Sequence, residues 1–380
     1  MTFPIRLLVV RIGIPHQTDS LERRVAITPD LAKRFSDFEI IIEEDAGRAA
    51  GFPNETYTDV ARIASSEDVW SADLVAVVRP PTAQERVYLR SGALLIGLLA
   101  PLDDPQKISE IATTGVTSLA FETLPRISRA QSMDALSSQA TASGYQAVLL
   151  ASDELQRFLP MLTTASGTIK PAKVLVLGAG VAGLQAIATA RRLGAVVSAF
   201  DVRAAVAEQV LSLGATFINM DVPAQDETAA GGYAQEVSGN EQEQILATLG
   251  PHVADADIVI TTAQIPGRPA PLLINADMVA SMQAGSVIVD MAASTGGNCE
   301  LTVRDKRVEV NNIIILGPSN LASQVAGDAS RMFARNMWEL VRLATESTPI
   351  DLEDEVLAGC IVTHAGAVVH PRVLAALEQL

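Results

Sequence analysis

One short segment of the chain, PRISRAQSMDALSSQ at residues 125–139, concentrates side chains that donate and accept hydrogen bonds. A guanidinium, an amide, a carboxylate and a hydroxyl follow one another at intervals of three to five residues, at Arg126, Gln131, Asp134 and Ser137. Residues three or four apart lie on one face of a helix, so these groups could hold a polar ligand together. An ordinary helix start with one capping residue and solvated neighbours fits the same pattern. The residues alone leave both interpretations open.

A second chemical pattern is VLVLGAGVAG, with the spacing G-x-G-x-x-G at Gly178, Gly180 and Gly183. In a dinucleotide-binding turn the first glycine permits a tight turn and the second lets the backbone approach a pyrophosphate. The third lets the next helix lie close to the sheet, and the anionic oxygens meet the N-terminus of that helix. A predicted strand precedes this pattern and a predicted helix follows it. We therefore interpret it as a dinucleotide site, with a purely structural turn as the alternative.

Asp201 follows the next predicted strand, about 20 residues beyond the glycines, where a carboxylate accepts hydrogen bonds from ribose hydroxyls. A 2′-phosphate beside that carboxylate would be repelled, so NAD(H) is favoured over NADP(H). Arg203 weakens this preference slightly, because an arginine two residues away could pair with a phosphate. The alternative is that Asp201 only caps the end of a strand.

Composition excludes several classes of protein. The 380 residues suggest two domains, and 48% hydrophobic residues with only 4% aromatic ones indicate a core of Ala, Val, Leu and Ile, as in open parallel α/β sheets. A net charge of −16 argues against binding to nucleic acid or to anionic lipid. Cys299 and Cys360, the only cysteines, have no partners at metal-ligand spacing, so we predict no metal site and a reduced, cytosolic setting. The longest charge-free run, 174–190, is shorter than the about 20 apolar residues that a bilayer requires.

Strands alternate with helices along the first third of the chain. Runs rich in β-branched residues predict strands at 5–15, 38–45, 72–80, 93–99 and 115–124. Thr28 before Pro29 and Asp104 before Pro105 predict helix starts.

A second series of strands and helices begins near Lys170, and the polar residues 221–243 interrupt it as a predicted surface loop. Residues 323–344 predict a long amphipathic helix. We predict an α/β fold with two Rossmann-like, doubly wound parallel-sheet domains. The first is discontinuous and is completed by a C-terminal helical segment. The predicted boundaries are 1–136 plus 326–380 for the first domain and 137–325 for the second.

Several motifs resemble the NAD(H)-binding component of proton-translocating NAD(P)+ transhydrogenase: PRISRAQSMD, GVAGLQAIATARRLGA, DVRAA, AGGYAQE, TTAQIPGRPAP and GGNC. The resemblance extends from RRVAITP to GAVVHP. It implies a homodimer that is peripheral on the cytoplasmic side of a membrane and passes hydride from NADH to NADP+ on a separate domain. A transmembrane subunit would carry protons. Because no membrane helix and no second nucleotide domain are predicted here, we expect the version of the family whose α subunit is split.

The resemblance also implies roles for individual residues. It places the segment 125–139 at the nicotinamide end of the site, in the cleft between domains. Arg126, Asp134 and Ser137 would hold the carboxamide and the ribose, whose donors and acceptors they match, and Gln131 would reach toward the partner nucleotide. These four are the predicted catalytic residues.

Two further segments complete the predicted site. DETAAGGYAQE resembles the mobile loop of the family, and TTAQIPG lies at a predicted strand end. The predicted cofactor-binding residues are Arg126, Gln131, Asp134, Ser137, Gly178, Ala179, Gly180, Val181, Gly183, Asp201, Val202, Arg203, Gly232, Tyr233, Thr262 and Ala263. Gln264 and Ser294 depart from the family pattern, which leaves the role of 294–297 open.

Alanine dehydrogenase, which shares several of these motifs, is the alternative function, and a non-catalytic NAD sensor is a third. In ERRVAITP, Arg24 matches the substrate arginine of alanine dehydrogenase. That chemistry also needs an acid–base group, but the predicted third strand contains only Arg79 and no lysine, and the fourth contains no histidine. Hydride transfer between two nicotinamides needs no base, only an approach of roughly 3–3.5 Å between the reacting carbons.

Overall fold

The structure, a computed structural model, describes residues 10–220, 239–265, 267–347 and 349–380. The strands are β1 (Arg11–Ile14), β2 (Glu39–Glu43), β3 (Arg62–Ala64), β4 (Leu74–Ala76), β5 (Leu94–Gly97), β6 (Thr117–Ala120), β7 (Leu162–Thr164), β8 (Gly167–Ile169), β9 (Lys173–Leu177), β10 (Val196–Phe200), β11 (Thr216–Phe217), β12 (Ile258–Thr261), β13 (Val287–Asp290), β14 (Arg307–Val310), β15 (Ile313–Leu316), β16 (Ile361–His364) and β17 (Ala367–Val368). The α-helices are α1 (Pro29–Ala32), α2 (Ser66–Trp70), α3 (Ala83–Arg86), α4 (Pro105–Ala112), α5 (Ala135–Glu154), α6 (Val181–Arg192), α7 (Ala207–Ser212), α8 (Gly239–Ala254), α9 (Ala276–Ser281), α10 (Ala326–Thr345), α11 (Glu355–Cys360) and α12 (Pro371–Leu377).

The chain divides into two compact units. The first consists of Met1–Gln139 and Ser323–Leu380, and the second of Ala140–Ala322. The first break falls inside α5, three residues beyond the predicted position 136, and the second falls three residues before the predicted position 325.

The sheet of the first unit has the strand order β17-β16-β6-β5-β4-β1-β2-β3. Pairs among β1 to β6 are parallel, and the order reverses between β1 and β4, as in a doubly wound sheet. Every residue of β4 and β6 is buried, which explains why these strands lack alternation in the sequence. The C-terminal segment completes this unit with α10, as predicted, and also adds the antiparallel strands β16 and β17.

The sheet of the second unit has the order β11-β10-β9-β12-β13-β15-β14, which is parallel except for β14. The predicted fold class is therefore confirmed for both sheets. The β14–β15 hairpin was not predicted. Its turn is made by Asn311 and Asn312, both in the left-handed region with φ of 51° and 61°, where asparagine is among the better tolerated residues.

Part of one loop prediction was wrong. Of the predicted loop 221–243, residues 239–243 form the beginning of α8. Residues 221–238 lie outside the described residues. Of the helix starts, Asp104 caps α4 by accepting from the Lys107 amide at 3.1 Å, whereas Thr28 precedes α1 without a side-chain cap.

Helix α10 fills the centre of the first unit with one apolar face. Phe333, Met337 and Leu340 on that face are fully buried. The ring of Phe333 meets Phe121 edge-on at a centroid distance of 5.3 Å. None of the helices in the described ranges has a stretch both long and apolar enough to span a bilayer.

We predict that Phe333→Ala lowers the free energy of unfolding by about 3–5 kcal/mol, because it removes a buried ring and leaves a cavity. Arg335→Ala, on the exposed face of the same helix, should change it by no more than about 0.5 kcal/mol. Chemical denaturation measures both variants. Equal stability of the two would contradict the packing described here.

Candidate nucleotide site

Three strands of the second unit end at the same level of the sheet. Leu177 of β9 pairs with Phe200 of β10 on one side and with Thr261 of β12 on the other. The residues that follow these strands, Gly178, Asp201 and Thr262, therefore start at the same edge. The strand order reverses at β9, and ligands of open α/β sheets bind outside the carboxyl ends of strands at such a point.

The turn between β9 and α6 requires its glycines. Gly178 has φ of +99°, and a Cβ there would lie 2.6 Å from the hydroxyl of Thr262. A Cβ on Gly183 would lie only 1.9 Å from the carbonyl oxygen of Gly178, so this glycine brings α6 close to the turn. Nothing lies within 4 Å of a Cβ on Gly180, the residue before α6, so a ligand can approach the backbone there.

The turn fits an anionic nucleotide. Helix α6 has 12 residues, its first turn has no acidic side chain, and its N-terminal amides can meet a pyrophosphate. Val181, its first residue, is exposed, whereas Ala179 is buried within the turn.

Thr262 and Ala263 continue this edge beyond β12. The Thr262 amide donates to the Leu177 carbonyl at 2.8 Å and its hydroxyl to the Gly178 carbonyl at 3.0 Å. Ala263 is held by the buried amide of Asn298, which accepts from the Ala263 amide at 3.1 Å and donates to its carbonyl at 2.9 Å. The two predicted residues are thus fixed relative to the glycine turn.

A buried carboxylate organises the neighbouring loop. Asp290 is fully buried at the end of β13 and accepts from the Thr261 and Thr302 hydroxyls at 2.9 and 2.7 Å. It also accepts from the backbone amides of Ala292 and Cys299, each at 3.0 Å. This loop carries Asn298.

Sequence analysis assigned no role to Asp290 or Asn298. Asn298 lies in the quoted motif GGNC, and the two glycines before it, at 296 and 297, have left-handed φ of 104° and 86°. That pair of glycines was the available signal for a structured turn.

Asp201 does not point into solvent. Its carboxylate accepts from the Ala179 amide at 2.7 Å, and from the amide and the guanidinium of Arg203 at 2.9 Å. Arg203 therefore faces Asp201 in this structure. Val202, between them, packs against the core of the second unit.

The polar segment of the first unit combines both interpretations of its sequence. Arg126 and Gln131 are exposed, the latter within a 3-10 helix, Ser128–Met133. Asp134 caps α5: its carboxylate accepts from the Ser137 amide at 2.9 Å and from the Ser137 hydroxyl at 2.5 Å. The capped helix is present, and two polar side chains beside it face solvent.

Helix α10 holds this segment in place. Asn336 donates to the Ser132 carbonyl at 2.8 Å and accepts from the Ser138 hydroxyl at 2.7 Å. Gln139 donates to the Ala329 carbonyl at 3.1 Å. The C-terminal segment therefore fixes the residues on both sides of Asp134, and no local sequence signal announced this role of Asn336.

Glu122 joins the start of the same segment to the loop after β5. Its carboxylate accepts from the Leu99 and Ala100 amides at 3.2 and 2.7 Å, and Ala100 is left-handed with φ of 52°. Burial, with a smaller contribution from nearby Asp103, raises the pKa of Glu122 to about 7. In the part of the chain that the structure describes, no three His, Cys, Asp or Glu side chains are grouped to hold a metal ion.

Comparison with known proteins identifies the family. The model for the N-terminal domain of alanine dehydrogenase/PNT matches residues 13–143, and the model for the C-terminal domain matches residues 147–371. The chain belongs to the alanine dehydrogenase/PNT family. The resemblance found in the sequence is confirmed.

Relatives within this family are similar over almost their whole length. The first part of the split NAD(P) transhydrogenase subunit alpha of Rhodospirillum rubrum is 44% identical, over 95% of this chain and 98% of the relative. The crystal structure of transhydrogenase from Sinorhizobium meliloti superposes with a TM-score of 0.87 at 44% identity, covering 94% of this chain and 100% of that one. An L-alanine dehydrogenase structure has a TM-score of 0.81 at 26% identity, covering 97% and 99%.

The predicted site residues belong to both units of this family member. Arg126, Gln131, Asp134 and Ser137 lie in the first unit, and the residues from 178 to 263 lie in the second. Gly232 and Tyr233 lie outside the described residues.

Arg24, which matches the substrate arginine of alanine dehydrogenase, is buried and paired. Its guanidinium donates to both Glu22 carboxylate oxygens and to the Gln139 side chain, each at 2.7 Å. Arg79 donates to the same carboxylate at 3.1 Å. Burial, the largest effect on Glu22, would raise its pKa, but the bonds and charge of Arg24, with Arg79, outweigh it and lower the pKa from 4.5 to about 2.

We predict that Glu22→Gln destabilises the protein by about 3 kcal/mol at neutral pH, because it leaves the Arg24 charge buried without its partner. In the unchanged protein, the stability due to Glu22 is fully present above pH 4.5 and is lost as the pH falls toward about 2, since the folded pKa is the lower one. The variant should lack this part of the acid dependence.

Denaturant unfolding between pH 2 and pH 7 measures both effects. Glu39→Gln is the matched control, because Glu39 forms an exposed ion pair with Arg62 that is worth at most about 1 kcal/mol. A Glu22→Gln variant with the stability and the acid profile of the unchanged protein would show that the buried pair is unimportant.

Proposed function

We propose that this chain is the NAD(H)-binding component of a proton-translocating NAD(P)+ transhydrogenase. It would transfer hydride from NADH to NADP+ held on a separate domain, coupled to proton translocation by a membrane subunit. The observation that carries the proposal is the glycine turn with Asp201 at the adjacent strand end, in a chain 44% identical to the first part of a split transhydrogenase alpha subunit.

The residues present suit NAD(H). The amides of the first turn of α6 would bind the pyrophosphate beside Gly180, and Asp201 would bind the ribose of the adenosine. Thr262 and Ala263 would contact the other ribose. Arg126, Asp134 and Ser137 would hold the carboxamide, with Gln131 directed toward the second nucleotide. When bound, the nicotinamide supplies the hydride.

These protein groups orient and do not exchange protons. The Asp134 carboxylate is already bonded to Ser137, and the guanidinium of Arg126 is a permanent cation. Transfer between two nicotinamides requires approach and alignment of the reacting carbons, which fixed hydrogen-bonding groups provide. Gly232 and Tyr233 are proposed to contact the bound nucleotide.

Alanine dehydrogenase activity is less well supported. The guanidinium of Arg24 is engaged by Glu22 and Gln139, and Arg79 shares that carboxylate. Beyond β4 and β5 the chain continues with Val77 and Leu98, so neither strand end has the lysine or histidine that the dehydrogenase chemistry would use.

The proposed partners are a second copy of the chain, the NADP(H)-binding domain and the transmembrane subunit. They would place the chain peripherally on the cytoplasmic side of the membrane. For the second copy, the support is an apolar surface near the β7–β8 hairpin, where Phe158, Met161 and Ile169 are 54%, 62% and 41% exposed. Sedimentation of the purified chain as a monomer would contradict the homodimer.

The central experiment compares two reactions. The purified chain, mixed with the NADP(H)-binding component of a transhydrogenase, should catalyse reduction of an NAD+ analogue by NADPH. It should not oxidise NADH in the presence of pyruvate and ammonia. Activity in the second reaction alone would replace our proposal with the dehydrogenase, and NADH binding without turnover in either reaction would indicate a sensor.

We predict that Arg126→Ala lowers the rate of hydride transfer by about 100-fold, because misplacing the ring by about 1 Å has effects of that size. NADH affinity should stay within about tenfold, since the pyrophosphate and adenosine contacts remain. Stopped-flow transfer rates and equilibrium titration separate the two quantities.

Arg129→Ala is the matched control, because Arg129 is an exposed arginine three residues away that pairs with Asp354. Asp134 is better tested as Asp134→Asn, since asparagine also caps helices and the variant retains the start of α5. An Arg126→Ala variant that transfers hydride as fast as Arg129→Ala would refute the positioning role.

A further inference from the structure

We infer that Arg203 determines nucleotide specificity by competing with the ribose for the Asp201 carboxylate. This inference rests on the function proposed above, because it concerns the adenosine end of the same site. It assigns to Arg203 a task that the glycine motif and the strand-end aspartate do not explain by themselves.

The Asp201 carboxylate has no acceptor position to spare. A carboxylate offers about four lone-pair positions, and here four N–H groups use them. One oxygen accepts from the amide and Nε of Arg203, and the other from the Ala179 amide and Nη2 of Arg203, at 2.7–2.9 Å. The two side chains are only 6% and 14% exposed, so water does not substitute for these donors.

Only the guanidinium can yield its two positions. The amides of Ala179 and Arg203 belong to the backbone of two tight connections, one directly after β9 and the other directly after β10. Ribose hydroxyls that donate to Asp201 must therefore displace Nε and Nη2 of Arg203. Two side-chain donors leave and two hydroxyl donors arrive, so the carboxylate stays satisfied.

A 2′-phosphate cannot make this exchange. It has no hydroxyl to donate at that position and its charge repels Asp201. Arg203 is the cation nearest to hand, yet it would have to give up a charge-assisted pair with Asp201 to bind the phosphate. The ion pair thus withholds the arginine from NADP(H), and specificity resides in the pair and not in the aspartate alone.

The consequence is that one substitution should change the preference of the site. Asp201→Asn keeps the size of the side chain but removes the repulsion and leaves the charge of Arg203 unneutralised. NADPH affinity should rise by about tenfold or more, while NADH affinity falls by about tenfold, as expected for charge-assisted bonds gained and lost. The double variant Asp201→Asn with Arg203→Ala should lose the gain for NADPH.

Arg203→Ala alone provides the sharpest test. Because it removes the competitor, NADH should bind at least as tightly as to the unchanged protein. If Arg203 were simply a supporting contact, its loss would weaken NADH. Arg192→Ala, which removes an exposed arginine of the same unit, controls for the change in net charge.

The experiment is fluorescence titration of the full chain and these variants with NADH and with NADPH, with thermal unfolding to establish that each variant is folded. Tenfold weaker NADH binding by Arg203→Ala, or a gain for NADPH that persists in the double variant, would overturn the inference. Absence of saturable NADH binding to the unchanged protein would instead overturn the proposed function itself, so the two failures are distinct.

Discussion

The close approach of α6 to the turn before it is the constraint on which the second unit depends. Gly183 lies so near the Gly178 carbonyl that a Cβ would come within 1.9 Å, and any larger residue would push the helix away from the sheet. With the helix seated, its first amides, the Thr262 hydroxyl and the Asp201 carboxylate all surround one turn. A short backbone distance therefore fixes the geometry of every group proposed to bind the nucleotide.

The fold could be predicted wherever a signal is local. Buried parallel strands appear as apolar runs, and Asp104 before Pro105 marks the start of α4. The hairpins could not be predicted in the same way. Strands β16 and β17 join β6 from more than 200 residues away, and β14 alternates only weakly, so the left-handed Asn311 and Asn312 were the main local clue.

The candidate site follows the same division. The glycine turn and Asp201 could be predicted because their spacing is confined to a single βαβ unit. The groups that hold the site could not, because they come from distant parts of the chain: Asn298 binds Ala263, and Asn336 binds the segment at 132–138. Nor does spacing reveal that the Asp201 carboxylate is already filled by Arg203, since that depends on a rotamer.

Buried charge is handled differently in the two units, and the difference bears on catalysis. In the first unit the Glu22 carboxylate is shared by Arg24 and Arg79, a pairing whose ions are held in place by mutual attraction. In the second unit Asp290 is satisfied by hydroxyls and backbone amides without a cation. Neither arrangement leaves a carboxylate oxygen free to take a proton. A protein that must only align two rings gains from such saturation, because groups with no spare capacity hold their positions and cannot divert the hydride donor into proton chemistry.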